Sequence, residues 1–336
     1  MKQLPLALTM GDPAGVGADI TLKAWLRHAE NGTKMPNFFM IADADHLKSM
    51  ADRLGLYIPI QKITAPGETG AIFAKALPVL HRPLAIPPVP GQPVPTNGEA
   101  VLKSIQMAVE YVQSGQASAV VTNPIAKSVL YEAGFEFPGH TEYLAHLAGI
   151  SYAPVMMLAC SKLRVVLATV HVSLRKAILS LNTDIICDVA RTTHTALRRD
   201  FSIANPILAI AGLNPHAGEG GAMGHEEMDI IAPAIARLRG EGIQAKGPMP
   251  PDTMFTADAL PTYDAAVCMY HDQGLIPLKA IDFENGVNAT LGLPFVRTSP
   301  DHGTAFDIAG TGRASELSLM AALTMAQQMA QARAAR

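Results

Sequence analysis

Three histidines have the positions and the chemistry to bind a divalent metal ion. His171, His216 and His271 each follow a short apolar run that is typical of a buried strand. Imidazole is a common metal ligand, and three protein ligands leave coordination positions open, as in catalytic rather than structural metal sites. The alternative is three neutral, hydrogen-bonded histidines of the core. The polar neighbours Asp272 and Gln273 favour a functional site, because such groups are costly to bury without partners.

A second set of side chains is suited to an anion. Arg297 lies within an apolar stretch, where a guanidinium requires an anionic partner, and its planar shape matches a phosphate or a carboxylate. Other basic, amide and hydroxyl groups stand in comparable surroundings: His140, Thr141, Lys279 and Asn288. A phosphorylated small molecule would satisfy these groups. The alternative is that they are solvated loop residues.

Two glycine-rich segments could contact a ligand through their backbone. Residues 11–17 read Gly-Asp-Pro-Ala-Gly-Val-Gly between a predicted strand and a predicted helix, and they fit neither the Rossmann fingerprint nor the Walker loop. They allow close approach of a ligand, or they form only a tight turn. Residues 302–312 are almost uncharged and could surround a flat aromatic ligand, with Asp307 or a backbone group making a hydrogen bond. A bare turn is again the alternative.

The elements that must position these residues alternate along the chain. Strands are predicted at Leu6–Met10, Asn37–Ala42, Ala119–Thr122, Val155–Leu158, Leu163–His171, Ile207–Leu213 and Ala265–Tyr270. Helices are predicted at Ala18–His28, Gly98–Val112, Met228–Arg239 and Ser315–Ala332. This alternation predicts an α/β fold in which ligand sites collect at the carboxyl ends of parallel strands. Residues 83–98 contain six prolines and should form an extended surface connection.

Composition limits the classes of function. The chain has 336 residues, of which 49% are hydrophobic and 16% charged, with a net charge of −3. These values predict one large or two medium folded units and no nucleic-acid or membrane partner. Three widely spaced cysteines are expected to be buried free thiols in a reducing compartment. Because no signal peptide and no apolar run of about 18 residues is visible, we expect a cytoplasmic protein.

The motifs, taken together, resemble the 4-hydroxythreonine-4-phosphate dehydrogenase family of vitamin B6 biosynthesis. The matching segments run in order over nearly the whole chain: residues 11–17, 138–142, 212–221, 251–253, 270–273 and 301–312. The last segment is also similar to the cofactor loop of the isocitrate and isopropylmalate dehydrogenases. The resemblance implies two α/β/α domains with a cleft between them and a non-Rossmann dinucleotide site. Residues 1–125 plus 300–336 should carry the cofactor loop, and residues 126–299 the metal ligands and the dimer interface.

The family's activity is also implied by this resemblance. It is the NAD- or NADP-dependent oxidation of 4-phosphooxy-threonine to a 2-amino-3-oxo acid, which decarboxylates to 3-amino-2-oxopropyl phosphate in pyridoxal phosphate biosynthesis. The enzyme would be a homodimer with one divalent ion per site, zinc, cobalt or magnesium, bound across the dimer interface.

Residue roles follow from the family by position. His171, His216 and His271 match the metal ligands. The residues matched to substrate binding are His140, Thr141, Lys279, Asn288 and Arg297. Those expected in the cofactor loop are Gly303, Thr304, Asp307 and Gly310. Asp252 and Lys279 are the candidate catalytic residues, Asp252 as a proton acceptor or as a partner of a metal ligand.

Two departures from the family pattern leave alternatives open. Ala18-Asp19 stands where many members have Pro-Glu, and residues 123–127 read Asn-Pro-Ile-Ala-Lys where many have Gly-Pro-Val-His-Lys. The second change leaves 4-phosphothreonate or 4-phosphoerythronate, which lack the amino group, as alternative substrates. A non-catalytic regulator that binds a phosphorylated metabolite is the alternative from another class.

Overall fold

The computed structural model describes residues 3–32 and 35–336 of the chain. They divide into two units: unit 1 comprises residues 1–153 and 293–331, and unit 2 comprises residues 154–292 and 332–336. These boundaries differ from the expected division into 1–125 with 300–336 and 126–299. The reason is packing, because Leu144 belongs to the buried cluster of unit 1 and Ile125 and Ile150 pack against it.

Unit 1 is built on a parallel sheet. Its strands are β1 (Leu6–Thr9), β2 (Phe38–Ala42), β3 (Ile60–Ile63), β4 (Leu77–His81), β5 (Val120–Val121) and β12 (Arg297–Pro300). They follow the order β3-β4-β2-β1-β5-β12, and every neighbouring pair is parallel. Helices cover the sheet, so β1 and β2 are buried along their whole length and consist almost entirely of apolar residues.

The helices of unit 1 differ in how they begin, and α2 has a conventional signal at each end. They are α1 (Gly17–Asn31), α2 (Ala44–Leu54), α3 (Thr69–Ile72), α4 (Gly98–Gln113), α5 (Lys127–Glu132), α6 (His140–Ala148) and α11 (Leu317–Ala334), which continues into unit 2. Asp43 caps α2 by accepting bonds from Asp45 N–H and His46 N–H, and Gly55 ends that helix in the left-handed conformation.

Unit 2 has a mixed sheet. Its strands are β6 (Val155–Ala159), β7 (Arg164–Leu167), β8 (Ile207–Ala211), β9 (Gln244–Met249), β10 (Ala265–Cys268) and β11 (Val287–Leu291). The order is β11-β6-β7-β10-β8-β9, in which β6 is antiparallel to both neighbours and the remaining pairs are parallel. The helices are α7 (Leu174–Ser180), α8 (Thr183–Phe201), α9 (Ala232–Gly240) and α10 (His271–Ile281).

The predicted α/β alternation is confirmed, with shorter strands than expected. β7 ends at Leu167 and β10 at Cys268, so His171 and His271 lie beyond the strands rather than at their last positions. Glu227–Ile231 form a π-helical turn before α9, so the predicted helix Met228–Arg239 begins within that turn. The strands β3, β4, β9, β11 and β12 were not predicted, because prolines or polar residues interrupt their apolar pattern.

The cysteines agree with the sequence-based expectation, and the proline-rich connection agrees with it in part. Cys160, Cys187 and Cys268 are free and buried. The extended connection predicted at residues 83–98 is found only as far as Val94: residues 83–94 contain neither a helix nor a named strand, only an isolated bridge between Val89 and Gln92, whereas Pro95–Asn97 form a 3₁₀ turn and Gly98 begins α4. None of the described helices combines the length and apolar character needed to cross a membrane.

Candidate metal and anion sites

The three histidines follow three neighbouring strands of unit 2. His171 comes after β7, His271 after β10 and His216 after β8, and β10 pairs in parallel with both β7 and β8. Parallel strands present their carboxyl ends at one edge of a sheet, so all three residues lie at that edge with His271 in the middle. The three residues therefore share one edge of the unit 2 sheet, and their joint role in metal binding stays a prediction.

Two adjacent cavities open at this edge. One, of about 260 Å³, is lined by His171, His271 and Asp272, and its two imidazole ring centroids lie 5.7 Å apart. The other, of about 300 Å³, is lined by His216 and Asp252. Tyr270 lines both cavities, a position that sequence reasoning did not select although it directly precedes His271.

The histidines are not core residues. His171 and His216 are exposed and the side chain of His271 is 35% exposed. His271 Nδ1 lies 2.7 Å from Asp272 Oδ1, a contact that orients the ring and leaves Nε2 directed elsewhere. A carboxylate on the second nitrogen is the usual support of a metal-binding imidazole. The donor chemistry of this edge therefore fits a divalent ion.

The backbone that carries His216 is strained and firmly held. Residues 216–220 all have positive φ, including the non-glycine residues His216, Ala217 and Glu219, and His171 has φ 46°. Such conformations cost about 1–3 kcal/mol each and persist only where the surroundings impose them. The buried carboxylate of Glu227 anchors the residues that lead into this turn, because it accepts bonds of 2.7 Å from both Leu213 N–H and Asn214 N–H.

One chain does not gather the three histidines into a single cluster of ligand atoms. In the part of the chain that the structure describes, one such group of three occurs, formed by Asp43, Asp45 and His81 in unit 1. Its atoms already have protein partners: Asp43 accepts the N–H groups that begin α2, and Asp45 Oδ2 lies 3.0 Å from Lys62 Nζ. Helix capping and an ion pair therefore account for this candidate metal site.

The other candidate residues of unit 2 lie outside the histidine cavities. Lys279 is in the last turn of α10, with Nζ 5.8 Å from the centroid of the Phe283 ring. Asn288 is on β11, opposite Leu158 of β6, and its Oδ1 is buried without a hydrogen-bond partner.

Unit 1 assembles the remaining anion-binding candidates. Arg297, only 3% exposed, begins β12 and donates a 2.6 Å bond to Thr122 Oγ1 beyond β5. Burial lowers its pKa to about 10, so the guanidinium stays charged at neutral pH. His140 and Thr141 begin α6, where backbone N–H groups and the helix dipole also favour an anion.

A lysine that sequence reasoning did not select adds to this positive region. An ideal Cβ on Gly139 would lie 3.2 Å from Lys127 Nζ, so the ammonium group stands beside the start of α6. Burial and the charges of Arg297 and Lys127 hold the pKa of His140 well below its usual range, which keeps its imidazole neutral. The buried His140 Nε2 has no hydrogen-bond partner. The cluster fits a phosphate.

The predicted cofactor loop, residues 302–312, makes backbone hydrogen bonds to the rest of unit 1. Gly310 N–H donates to Asp19 Oδ1 at 2.9 Å, and Arg53 Nε donates to Gly310 O at 3.0 Å. Gly310 is buried with φ +68°. Gly303 and Asp307 are exposed and Thr304 is half-buried, so this part of the loop is open to a ligand.

The first glycine-rich segment supports that loop. Val16 N–H donates to Thr304 O at 3.0 Å, and a Cβ on Gly15 would lie 2.9 Å from the same oxygen. One N–H at the start of α1 is therefore already occupied by protein. The three glycines of residues 11–17 permit close backbone packing. We therefore interpret this turn as a structural support of the loop rather than as a ligand site.

Comparison with known proteins identifies the family. The model of the pyridoxal phosphate biosynthetic protein PdxA family matches residues 34–326. The chain belongs to this family. A 4-hydroxythreonine-4-phosphate dehydrogenase of Bradyrhizobium diazoefficiens is 52% identical over 340 residues, covering 98% of each chain. One of Caulobacter vibrioides is 51% identical over 335 residues, again covering 98% of each.

A solved structure of a PdxA family relative has the same fold. The crystal structure of 4-hydroxythreonine-4-phosphate dehydrogenase from Klebsiella pneumoniae superposes with a TM-score of 0.88 at 38% identity. The match covers 98% of this chain and 99% of the other. The resemblance deduced from the motifs is thus confirmed, and the family's two-unit α/β architecture with it.

Proposed function

We propose that this chain is a 4-hydroxythreonine-4-phosphate dehydrogenase that uses NAD and a divalent ion. It would oxidise the secondary alcohol of 4-phosphooxy-threonine and release carbon dioxide, giving 3-amino-2-oxopropyl phosphate. The observation that carries the proposal is the placement of His171, His271 and His216 on three neighbouring parallel strand ends in a member of the PdxA family. A cytoplasmic location remains part of the proposal.

The reaction requires groups that this chain can hold. His171, His216 and His271 would bind the metal ion, and the loop with Gly303, Thr304, Asp307 and Gly310 would bind the dinucleotide. When bound, the ion lowers the pKa of an alcohol and the nicotinamide accepts hydride. Support for the metal comes from the exposed imidazoles and the Asp272 contact, and support for the dinucleotide from the open, anchored loop.

Protein side chains would move the protons. Asp252 shares a cavity with His216 and is exposed, so its carboxylate can accept the proton of the substrate hydroxyl. Lys279 is the other candidate catalytic residue, on the strength of the family resemblance. Its ammonium group also offers a contact for the substrate phosphate, as does the Asn288 amide.

The phosphate would be bound chiefly by Arg297, His140 and Thr141. Arg297 is buried and charged, and its planar guanidinium matches the shape and the charge of a substrate phosphate. The N-terminus of α6 and the nearby Lys127 add to the positive potential.

Arg297→Ala should therefore lose much of its kcat/KM for the phosphorylated substrate. Breaking a desolvated charge pair costs about 2–4 kcal/mol, or about 30- to 700-fold. Arg297→Lys should recover only part, because an ammonium cannot bind in a bidentate manner. The matched control is Arg164→Ala, which removes a half-buried arginine that donates to Asp264 O. If Arg297→Ala still prefers phosphorylated over unphosphorylated substrate as strongly as wild type, the assignment is wrong.

A homodimer would complete the metal site, since one chain does not gather the three histidines. Large apolar side chains are exposed on the segments that follow His171 and His271: Leu174 at 56%, Leu179 at 77%, Ile276 at 66% and Phe283 at 76%, and Leu174 lines the cavity of these two histidines. Exposed large apolar groups can mark an interface. They support the proposed dimer, with the metal bound between subunits.

The substrate proposal is tested by a panel. NADH absorbance is followed after mixing the protein and a divalent ion with 4-phosphooxy-threonine, 4-phosphothreonate or 4-phosphoerythronate. We expect the amino acid to be oxidised with the highest kcat/KM. Preference for a hydroxy acid would establish the alternative substrate, and binding of all three without NADH formation would establish a regulator.

The loop that suggested the alternative substrates is partly explained by the structure. Asn123 is fully buried, and its Nδ2 donates to Thr9 O and Thr21 Oγ1, both at 3.1 Å. A Cβ on Gly11 would lie 2.7 Å from Asn123 Cβ. This residue therefore packs under the glycine turn and gives no ground for a changed substrate.

A further inference from the structure

A buried series of hydrogen bonds joins the three strand ends that carry the histidines. Thr169 Oγ1 donates to Met269 O at 2.7 Å, and Met269 N–H donates to Gln273 Oε1 at 2.6 Å. Gln273 Nε2 then donates to Gly212 O at 2.7 Å. Thr169 precedes His171 by two positions, Met269 precedes His271 by two, and Gly212 precedes His216 by four.

The side chains of this series are shielded from water. Thr169 is 7% exposed and Gln273 is 6% exposed, so neither bond can be replaced easily by solvent. Both backbone polar groups of Met269 are used, one by each side chain. A buried polar group that loses its partner is costly, and hydrogen bonds in such surroundings define geometry sharply.

Gln273 is chemically suited to its position. Its amide accepts a bond from one strand end and donates a bond to another, which a carboxylate or an apolar side chain of the same length cannot do. The residue lies in the first turn of α10, two positions after His271. One amide therefore relates the start of the His271 helix to the loop that leads to His216.

We propose that Gln273, together with Thr169, is a positioning residue that fixes, within each subunit, the strand ends from which His171, His271 and His216 reach the metal sites. This inference rests on the proposed metal site. Ligands must be held to within about 0.5 Å of their productive geometry, and exposed imidazoles on loops lack packing of their own to achieve this. The buried amide supplies that constraint from beneath the site.

The test is metal affinity measured without turnover. Co²⁺ is titrated into the metal-free wild type, Gln273→Met and Thr169→Val, and the dissociation constant and the intensity of the visible absorption bands are recorded. Loss of a residue that supports metal ligands typically weakens binding about 10- to 100-fold, which we expect for Gln273→Met. Thr169→Val keeps the side-chain shape and removes one bond, so about tenfold is expected, with altered Co²⁺ bands in both variants.

A control separates positioning from general destabilisation. Thr193→Val removes a buried 2.7 Å bond from Thr193 Oγ1 to Val189 O inside α8, a bond that joins no histidine-bearing strand. Thr193→Val should lower the melting temperature of the metal-free protein. It should leave the dissociation constant for Co²⁺ and the visible spectrum of bound Co²⁺ unchanged. If Gln273→Met does not fold, the Co²⁺ titration of Thr169→Val by itself tests the positioning role.

The outcomes distinguish this inference from the function on which it rests. Co²⁺ binding by Gln273→Met and Thr169→Val with wild-type affinity and spectrum would overturn the positioning role and leave the metal site intact. Absence of Co²⁺ binding in wild type, or binding unaffected by His216→Ala, would overturn both. The positioning role is established if Gln273→Met and Thr169→Val bind Co²⁺ more weakly and with a changed spectrum while Thr193→Val binds it as wild type does.

Discussion

Exhaustive chelation of divalent ions is expected to abolish NADH formation and to leave the protein folded. His171 and His216 are exposed at the edge of unit 2, whereas the buried cluster of that unit contains residues such as Leu158, Val165 and Ala209 and no histidine. A metal bound at such an edge serves a site made by a folded unit. Its removal therefore takes away the chemistry and not the core.

His216→Ala should reproduce the chelated state. The turn that carries His216 is held by Glu227 through Leu213 and Asn214, so loss of the imidazole leaves the backbone support in place. Activity is followed by NADH absorbance, folding by circular dichroism during heating, and bound metal by elemental analysis. Added Co²⁺ or Zn²⁺ should restore the chelated wild type and not the variant.

His194→Ala is the matched control. His194 is a half-buried histidine of α8 in the same unit, and it lies outside the cavities of the metal site. It should keep metal-dependent activity. Full activity of wild type after chelation would remove the metal from the mechanism, and cooperative unfolding on chelation would make the metal structural.

The edge that bears the histidines was predictable because it depends on chain-level patterns. The predicted strands Leu163–His171, Ile207–Leu213 and Ala265–Tyr270 overlap the observed parallel strands β7, β8 and β10, and polar groups at the carboxyl ends of such strands meet at one edge. The motifs around His216 and His271 then indicated the family. Hydrophobic periodicity and short motifs are both local, so a single sequence carries them in full.

The parts that could not be predicted depend on contacts between distant residues. No local signal shows that Gln273 reaches Gly212, 61 positions away, or that Glu227 holds a left-handed turn. The glycines of residues 11–17 are adjacent to Thr304 only in the folded unit. Lys127 was not selected for the same reason, since its position beside Gly139, 12 residues away, exists only in the folded unit.

If the metal site is shared between subunits, a refolded mixture of two inactive variants should regain activity. His216→Ala and His271→Ala homodimers should both be inactive, because every site lacks one ligand. When an equal mixture is unfolded and refolded, about half of the dimers are heterodimers in which one site has both defects and the other none. About a quarter of wild-type activity should therefore return. Each variant refolded alone is the control, and differential tags confirm heterodimer formation.

A second mixture shows which histidines a subunit contributes together. In one chain the His171 and His271 rings lie 5.7 Å apart and line one cavity, so we expect both to enter the same metal site from the same subunit. Each His171→Ala and His271→Ala heterodimer then has a defect in both of its sites, and the mixture should stay inactive. Recovery of a quarter of the activity here would place the two on different subunits. Inactivity of both mixtures, with heterodimers present, would show that a single chain supplies all three ligands.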